Sequence, residues 1–225
     1  MAAITTPALT AKELYRFYHA GEEETAALRG VSLAVNPGEM VALMGPSGSG
    51  KSTLLACLAG LDEPDGGHVE VMGARLTRRR EAERAAIRAR QIGVLLQSAN
   101  LLEHLTLEAN IRLPMLLAGK QDVAMIDRLL DDVGLTARRR AYPSQLSGGE
   151  SARAGLAVAM AAGPPILIAD EPTAEVDGDT EMLLLDHLAR RCKSGMAILV
   201  ATHSAAVAKR ADRALHIKDG RLTDA

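Results

Sequence analysis

Gly45-Pro46-Ser47-Gly48-Ser49-Gly50-Lys51-Ser52 is the stretch on which the reading of this chain turns. It fits G-x-x-x-x-G-K-[ST], a loop whose glycines let successive backbone N–H groups turn inward as a nest for phosphate oxygens. Lys51 adds a point charge for the β- and γ-phosphates of a nucleotide, and the Ser52 hydroxyl can ligate Mg2+. The helix beginning near Gly50 points its positive end at the same anion. Such a loop needs a strand before it and a helix after it. Met40–Met44 is the apolar run that feeds it, set off from an earlier run at Val31–Val35 by the turn signal Asn36-Pro37-Gly38. Ser52–Gly60 continues as an apolar helix.

Outward from the loop, His68–Met72 reads as a strand between Asp65-Gly66-Gly67 and Gly73, Arg78–Arg90 as a charged helix, and Ile92–Leu96 as a buried strand. From Ser98 to about Met160 the texture changes. Thr106–Leu117 and Val123–Val133 read as helices with no strand signal between them, which predicts a helical subdomain inserted between strands of the core sheet. Ile166–Ala169, Ala197–Ala201 and Ala214–Ile217 are three more strands, with a helix over Thr180–Arg191. Apolar strands alternating with helices imply a parallel sheet covered on both faces.

The 225 residues are 48% apolar and 24% charged, ordinary globular usage that sets aside disordered and fibrous classes. A net charge of −2, with one Phe, three Tyr and no Trp, argues against nucleic-acid binding, which favours a basic face and stacking aromatics. The longest uncharged run, between Arg153 and Asp170, is short of the ~20 residues a membrane span needs and is interrupted by Pro164-Pro165. Met1–Thr6 has neither basic flank nor apolar core, so no signal peptide is expected. Cys57 and Cys192 stand apart without metal spacing and read as reduced, incidental thiols. A soluble cytosolic chain is expected, any membrane link running through a partner. The arginines at 78, 79, 80, 84, 88 and 90 read as a solvated helix face, diluted by Glu81 and Glu83.

Ile166–Glu171 is an apolar strand ending in two carboxylates, and the carboxyl edge of an open α/β sheet is where ligands bind. Asp170 suits Mg2+, through water, and Glu171 suits polarisation of an attacking water. Alone, such a pair more often caps a helix; beside a phosphate loop the catalytic reading prevails. His203, closing the strand at Ala201-Thr202-His203-Ser204, can reach a γ-phosphate and hold that water in register, although a lone strand-end histidine is more often structural. Gln97, ending Ile92–Leu96, can complete Mg2+ coordination or be a plain surface residue. Leu146-Ser147-Gly148-Gly149-Glu150 precedes an Ala-rich helix; Ser147 is a good N-cap and the glycines leave N–H groups bare for an anion. Two phosphate-binding elements far apart in one chain are simply explained if each site is shared between two copies, loop from one and serine-glycine turn from the other.

These strings, in this order, resemble the ATP-binding cassette ATPases that drive ABC transporters, over about Tyr15 to Gly220. The resemblance implies that Tyr18 stacks on adenine, that Gly45, Pro46, Ser47, Gly48, Ser49, Gly50, Lys51, Ser52 and Thr53 form the phosphate loop, and that Gln97 is the Q-loop residue. It makes Leu146–Glu150 the signature, with Ser147, Gly148, Gly149 and Glu150 toward the shared nucleotide. Asp170 becomes the Mg2+-associated aspartate, Glu171 the catalytic glutamate, Asp177 a D-loop residue and His203 the switch histidine. The fold implied is α/β: a P-loop NTPase core sheet with an inserted α-helical subdomain and an N-terminal antiparallel β region. The whole chain, 1–225, is then one nucleotide-binding domain, with a core of about 1–97 and 161–225 and a helical subdomain of about 98–160.

Tyr18–Glu23, Ala27–Leu33, Asn100–Leu102 and Leu105–Asn110 are similar to the branch of lipoprotein-releasing, macrolide-exporting and cell-division ATPases, many of which transmit motion across a membrane. That implies an ATPase using ATP and Mg2+, working as a head-to-tail dimer with a second copy. It would sit on the inner face of the cell membrane through a transmembrane permease with an extracytoplasmic domain, Asn100–Asn110 receiving that partner. A non-transport ABC-type ATPase of DNA repair or translation is the alternative; it would need a coiled-coil insertion or a second cassette, and neither is seen. Three residues depart from the family pattern. Glu150 replaces the usual Gln and places a negative charge near the shared site, which is expected to weaken ATP-driven closure. Val158 replaces the usual Arg, and Glu175 stands where a small residue or Asn is usual.

Overall fold

The computed structural model describes residues 6–20, 23–98, 100–174 and 176–223. Gly21, Glu22 and Glu175, singled out above, lie outside the described residues. The chain opens with a long hairpin, β1 (Leu9–Ala20) and β2 (Glu23–Val35). Next, β3 (Met40–Met44) runs into the phosphate loop and α1 (Lys51–Leu58). β4 (Gly66–Val71), β5 (Ala74–Arg75), α2 (Glu81–Gln91) and β6 (Ile92–Leu95) follow. Among the described residues the next stretch holds helical elements alone: α3 (Leu107–Leu117), α4 (Val123–Asp132), two short turns at Thr136–Arg138 and Pro143–Gln145, and α5 (Gly148–Met160). The chain closes with β7 (Ile166–Asp170), α6 (Gly178–Lys193), β8 (Ala197–Ala201), α7 (Ala205–Arg210), β9 (Arg213–Lys218) and β10 (Arg221–Thr223).

Among the described residues the strands form two sheets. An antiparallel one runs β2-β1-β4-β5, and a larger one runs β10-β9-β3-β8-β7-β6, parallel except for β10. The α/β core sheet, the antiparallel N-terminal region and the helical stretch between β6 and β7 thus have the expected form. The continuous apolar texture of β7 and β8 follows from burial on both faces. Ile166, Ile168, Ala197 and Leu199 enter one apolar cluster with α1 and the hairpin. Leu167, Ala169, Ile198 and Val200 enter a second with α3, α4, α5 and α6. Val158 packs against this second cluster, so an apolar residue there has a structural place.

Registry puts the chemistry on one edge. Leu43 pairs with Ala201 and Leu215, Asp170 with Ala201, and Leu95 with Ala169, so parallel strands carry the phosphate loop, Gln97, Asp170, Glu171 and His203 past the same carboxyl edge. The helical stretch is set by its caps: Thr106 accepts from the Ala109 N–H, Asp122 from Met125 and Ser147 from Glu150.

One boundary differs from expectation for a clear local reason. The charged helix starts at Glu81 rather than Arg78, because Arg78 adopts φ 58°, a left-handed turn, with its N–H held by Glu63 Oε1 at 2.8 Å. Its guanidiniums are turned to carboxylates of the same molecule, Arg84 to Glu63 and Glu81 and Arg88 to Glu81. Cys57 and Cys192 are buried free thiols; burial pushes Cys57 up to about 12, which leaves it unreactive at neutral pH.

Candidate functional site

A cavity of about 1060 Å³ opens at that carboxyl edge. Of the residues singled out in the sequence, Tyr18, Ser47, Gly48, Gly50, Lys51, Ser52, Thr53, Gln97, Asp170, Glu171 and His203 line it. Gly45 and Pro46 act from behind: their carbonyls accept from Lys51 Nζ at 2.7 and 3.1 Å. Ser49 is buried and its N–H donates to the Pro46 carbonyl. The loop's shape requires glycine at Gly50, which has φ 104° and stands where a Cβ would come within 2.5 Å of the Ala27 carbonyl. That contact packs the loop against β2.

Three groups meet at the floor. Lys51 Nζ lies 3.3 Å from His203 Nε2, and the same Nε2 lies 3.4 Å from Glu171 Oε1. The His203 N–H donates to Glu171 Oε2 at 3.2 Å. A ring nitrogen accepting from an ammonium cannot also donate to a carboxylate, so Glu171 Oε1 keeps its lone pairs. It is indeed a buried oxygen without a hydrogen-bond partner among the described residues. Glu171 holds this aim through a left-handed backbone, φ 47°, which an L side chain adopts at a cost of about 1–2 kcal/mol. Its N–H is anchored to the Ala201 carbonyl at 2.9 Å. The arrangement can set a carboxylate oxygen on a water beside a phosphate nest.

Ser52 and Asp170 line both this cavity and a smaller pocket beside it. With Gln97 they offer a hydroxyl, an amide and a carboxylate, hard oxygen donors of the type Mg2+ takes together with phosphate oxygens. Among the described residues no cluster of three His, Cys, Asp or Glu side chains forms a metal cage.

Ser147, Gly148, Gly149, Glu150 and Asp177 do not line the main cavity. Gly148 lies instead on a second cavity that also touches Gln97 and Glu171. Asp177 caps α6, its carboxylate accepting from the Thr180 N–H at 2.8 Å, a bond that holds it below the usual carboxylate range.

Residues given no role by the sequence hold Tyr18 in place at the cavity. Tyr18 donates its hydroxyl to Asp62 Oδ2 at 2.9 Å, and the Arg16 guanidinium lies 4.7 Å from the centre of its ring. Arg16 in turn holds Asp62 at 2.9 Å and Asp65 at 3.1 Å. These carboxylates hold Arg16 further above its usual range, and the Phe17 N–H, then Arg16, holds Asp65 below its own. Leu61–Asp65 carries no motif, and only the fold brings Asp62 to Tyr18.

Residues 28–174 match the family model described as ABC transporter. An uncharacterized ABC transporter ATP-binding protein of Mycobacterium tuberculosis (strain H37Rv) is 40% identical over 212 residues, covering 92% of this chain and 86% of its own length. The macrolide export ATP-binding/permease protein MacB of Escherichia coli K12 is 39% identical over 96% of this chain, which spans 34% of MacB's length. The ATP-binding cassette MJ0796, in a dimeric post-hydrolysis state bound to ADP and Pi, superposes with a TM-score of 0.91 at 33% identity, over 96% of this chain and 97% of that one. Alike in sequence along most of its length and in fold over nearly all of it, this chain belongs to the ABC transporter family, as one of its ATP-binding, ATP-hydrolysing cassettes.

Proposed function

We propose that the chain is the ATPase subunit of a membrane transport or mechanotransmission complex, closing head to tail with a second copy when ATP binds and driving a separate permease when it reopens. The observation that carries this reading is a division of labour. Phosphate loop, Gln97, Asp170, Glu171 and His203 share one cavity, while the serine-glycine turn lies outside its lining, with Gly148 on a second cavity that also touches Gln97 and Glu171. A second copy supplies that turn from the other side. The dimeric cassette MJ0796 supports the arrangement by its likeness.

On this reading ATP lies with its phosphates in the Gly45–Thr53 nest and its adenine on Tyr18. Lys51 exchanges the Gly45 and Pro46 carbonyls for phosphate oxygens, Glu171 Oε1 takes a proton-bearing water in line with the γ-phosphate, and His203 holds water and phosphate in register. Ser52, Gln97 and Asp170 would hold Mg2+, whose charge would offset that of the phosphates. Ser147, Gly148, Gly149 and Glu150 of one copy, with Asp177, close the site of the other. About 1–97 and 161–225 act as the core and 98–160 as the helical subdomain that meets the permease near Asn100–Asn110. Among the described residues no helix is long and apolar enough to cross a membrane, in keeping with a place on the cytoplasmic face through that partner. MacB is named an exporter, and a role in export, lipid or lipoprotein extraction or envelope signalling is the reading its likeness supports.

Ser147→Arg tests the shared site. Bulk at the turn is expected to abolish ATP hydrolysis while calorimetry finds unchanged ATP affinity for the single chain. Normal hydrolysis by this variant would remove the second copy from the mechanism.

A further inference from the structure

The serine-glycine turn ends in an acid, and the fold gives that acid two partners. Glu150 Oε2 accepts from the Ser147 backbone N–H at 2.8 Å, while Ser147 Oγ accepts from the Glu150 N–H at 3.2 Å. This reciprocal pair closes the start of α5. The other oxygen, Oε1, accepts from Arg138 Nε at 2.8 Å. Arg138 ends the short helical turn Thr136–Arg138 in the helical stretch. The Glu150 side chain is 18% exposed and that of Arg138 50% exposed. The Ser147 N–H first, and Arg138 second, hold the carboxyl below its usual range, so it is charged at neutral pH.

A charged carboxylate beside a turn that must receive phosphates is a liability, and a guanidinium on its far oxygen offsets it. The neighbouring Arg139 is committed elsewhere, to Glu108 and Asp127. We propose that Arg138 is a positioning residue for ATP hydrolysis: it balances the charge of Glu150 and pins the carboxylate that clamps Ser147, so that an acidic turn can close on a nucleotide held by a second copy. This rests on the shared-site reading above. The Ser147 hydroxyl, occupied as an acceptor by the Glu150 N–H, keeps its proton for a phosphate oxygen. Arg138 acts through Glu150, from the surface of the helical stretch.

A double-mutant cycle tests the assignment, with MgATP as ligand. Arg138→Ala is expected to lower kcat and ATP-driven dimerisation about fivefold at low salt, the deficit shrinking as salt rises. ATP affinity of the single chain stays unchanged. In the Glu150→Gln background, which removes the charge but keeps an oxygen for the Ser147 N–H, adding Arg138→Ala is expected to cost roughly twofold or less. Arg138→Lys keeps the charge and is expected to retain most activity, separating lost charge from a damaged fold. A deficit of equal size in both backgrounds overturns the proposal, because Arg138 then acts independently of Glu150; so does wild-type behaviour of Arg138→Ala. Ser147→Arg in the same series tests the underlying reading by itself. If that variant is inactive while the cycle is flat, the role of Arg138 fails and the shared site stands.

Discussion

Glu171 is the residue on which hydrolysis depends in this account. Its strained backbone and uncommitted buried oxygen are two independent observations on one side chain. Glu171→Gln keeps the backbone requirement, the size and most of the hydrogen bonding, so its effect isolates the carboxylate charge. Turnover is expected to fall on the order of 10²–10⁴-fold with ATP binding retained, as steady-state assay and calorimetry will read. Near wild-type turnover would remove Glu171 from the chemistry. The residue types were legible because phosphate chemistry needs them at fixed offsets from strands and glycines. The contact between Lys51 and His203, 152 positions apart, was not, since no local pattern encodes it. For Glu150 the sequence carried a charge and an expectation of repulsion; its compensation by Arg138 lies twelve positions back, across a turn.

Among the elements, those with a clean period or a cap were legible and those with a break were not. The hairpin's first strand shows why. Leu9, Ala11 and Leu14 are buried, a spacing of two and then three, because a bulge at Lys12-Glu13 shifts the register and puts Glu13 at φ 49°. Alternation is lost where the strand bends, so β1 gives no period-two signal. β5, β10 and α7 are short, with two, three and six residues, below the length at which periodicity reads. The strand-to-helix corner between β1 and α1 supports a prediction of its own. Asp62, just past α1, ties both Arg16 and the Tyr18 hydroxyl to one carboxylate. Asp62→Ala releases the aromatic platform without touching the phosphate nest. KM for ATP is expected to rise roughly three- to tenfold with kcat nearly unchanged, because stacking acts alike on ground and transition states. A fall in kcat at constant KM would place Asp62 in the chemistry instead.

At the scale of the whole molecule, the sheet order brings loop, carboxylates and histidine to one edge and leaves the serine-glycine turn outside their cavity. The sequence offered two candidate phosphate-binding elements; that they do not line one main cavity within a single chain emerges only from the fold, in which Gly148 lies on a second cavity beside Gln97 and Glu171. The central claim is therefore that a working site needs two copies. The most direct measurement is the mass of Glu171→Gln in solution, by light scattering on a sizing column with and without MgATP. The account predicts one chain without nucleotide and two with it, and a return to one chain, ATP still bound, when Ser147→Arg is added. A Glu171→Gln protein that binds ATP yet keeps the mass of one chain, or a dimer that survives Ser147→Arg, would contradict it.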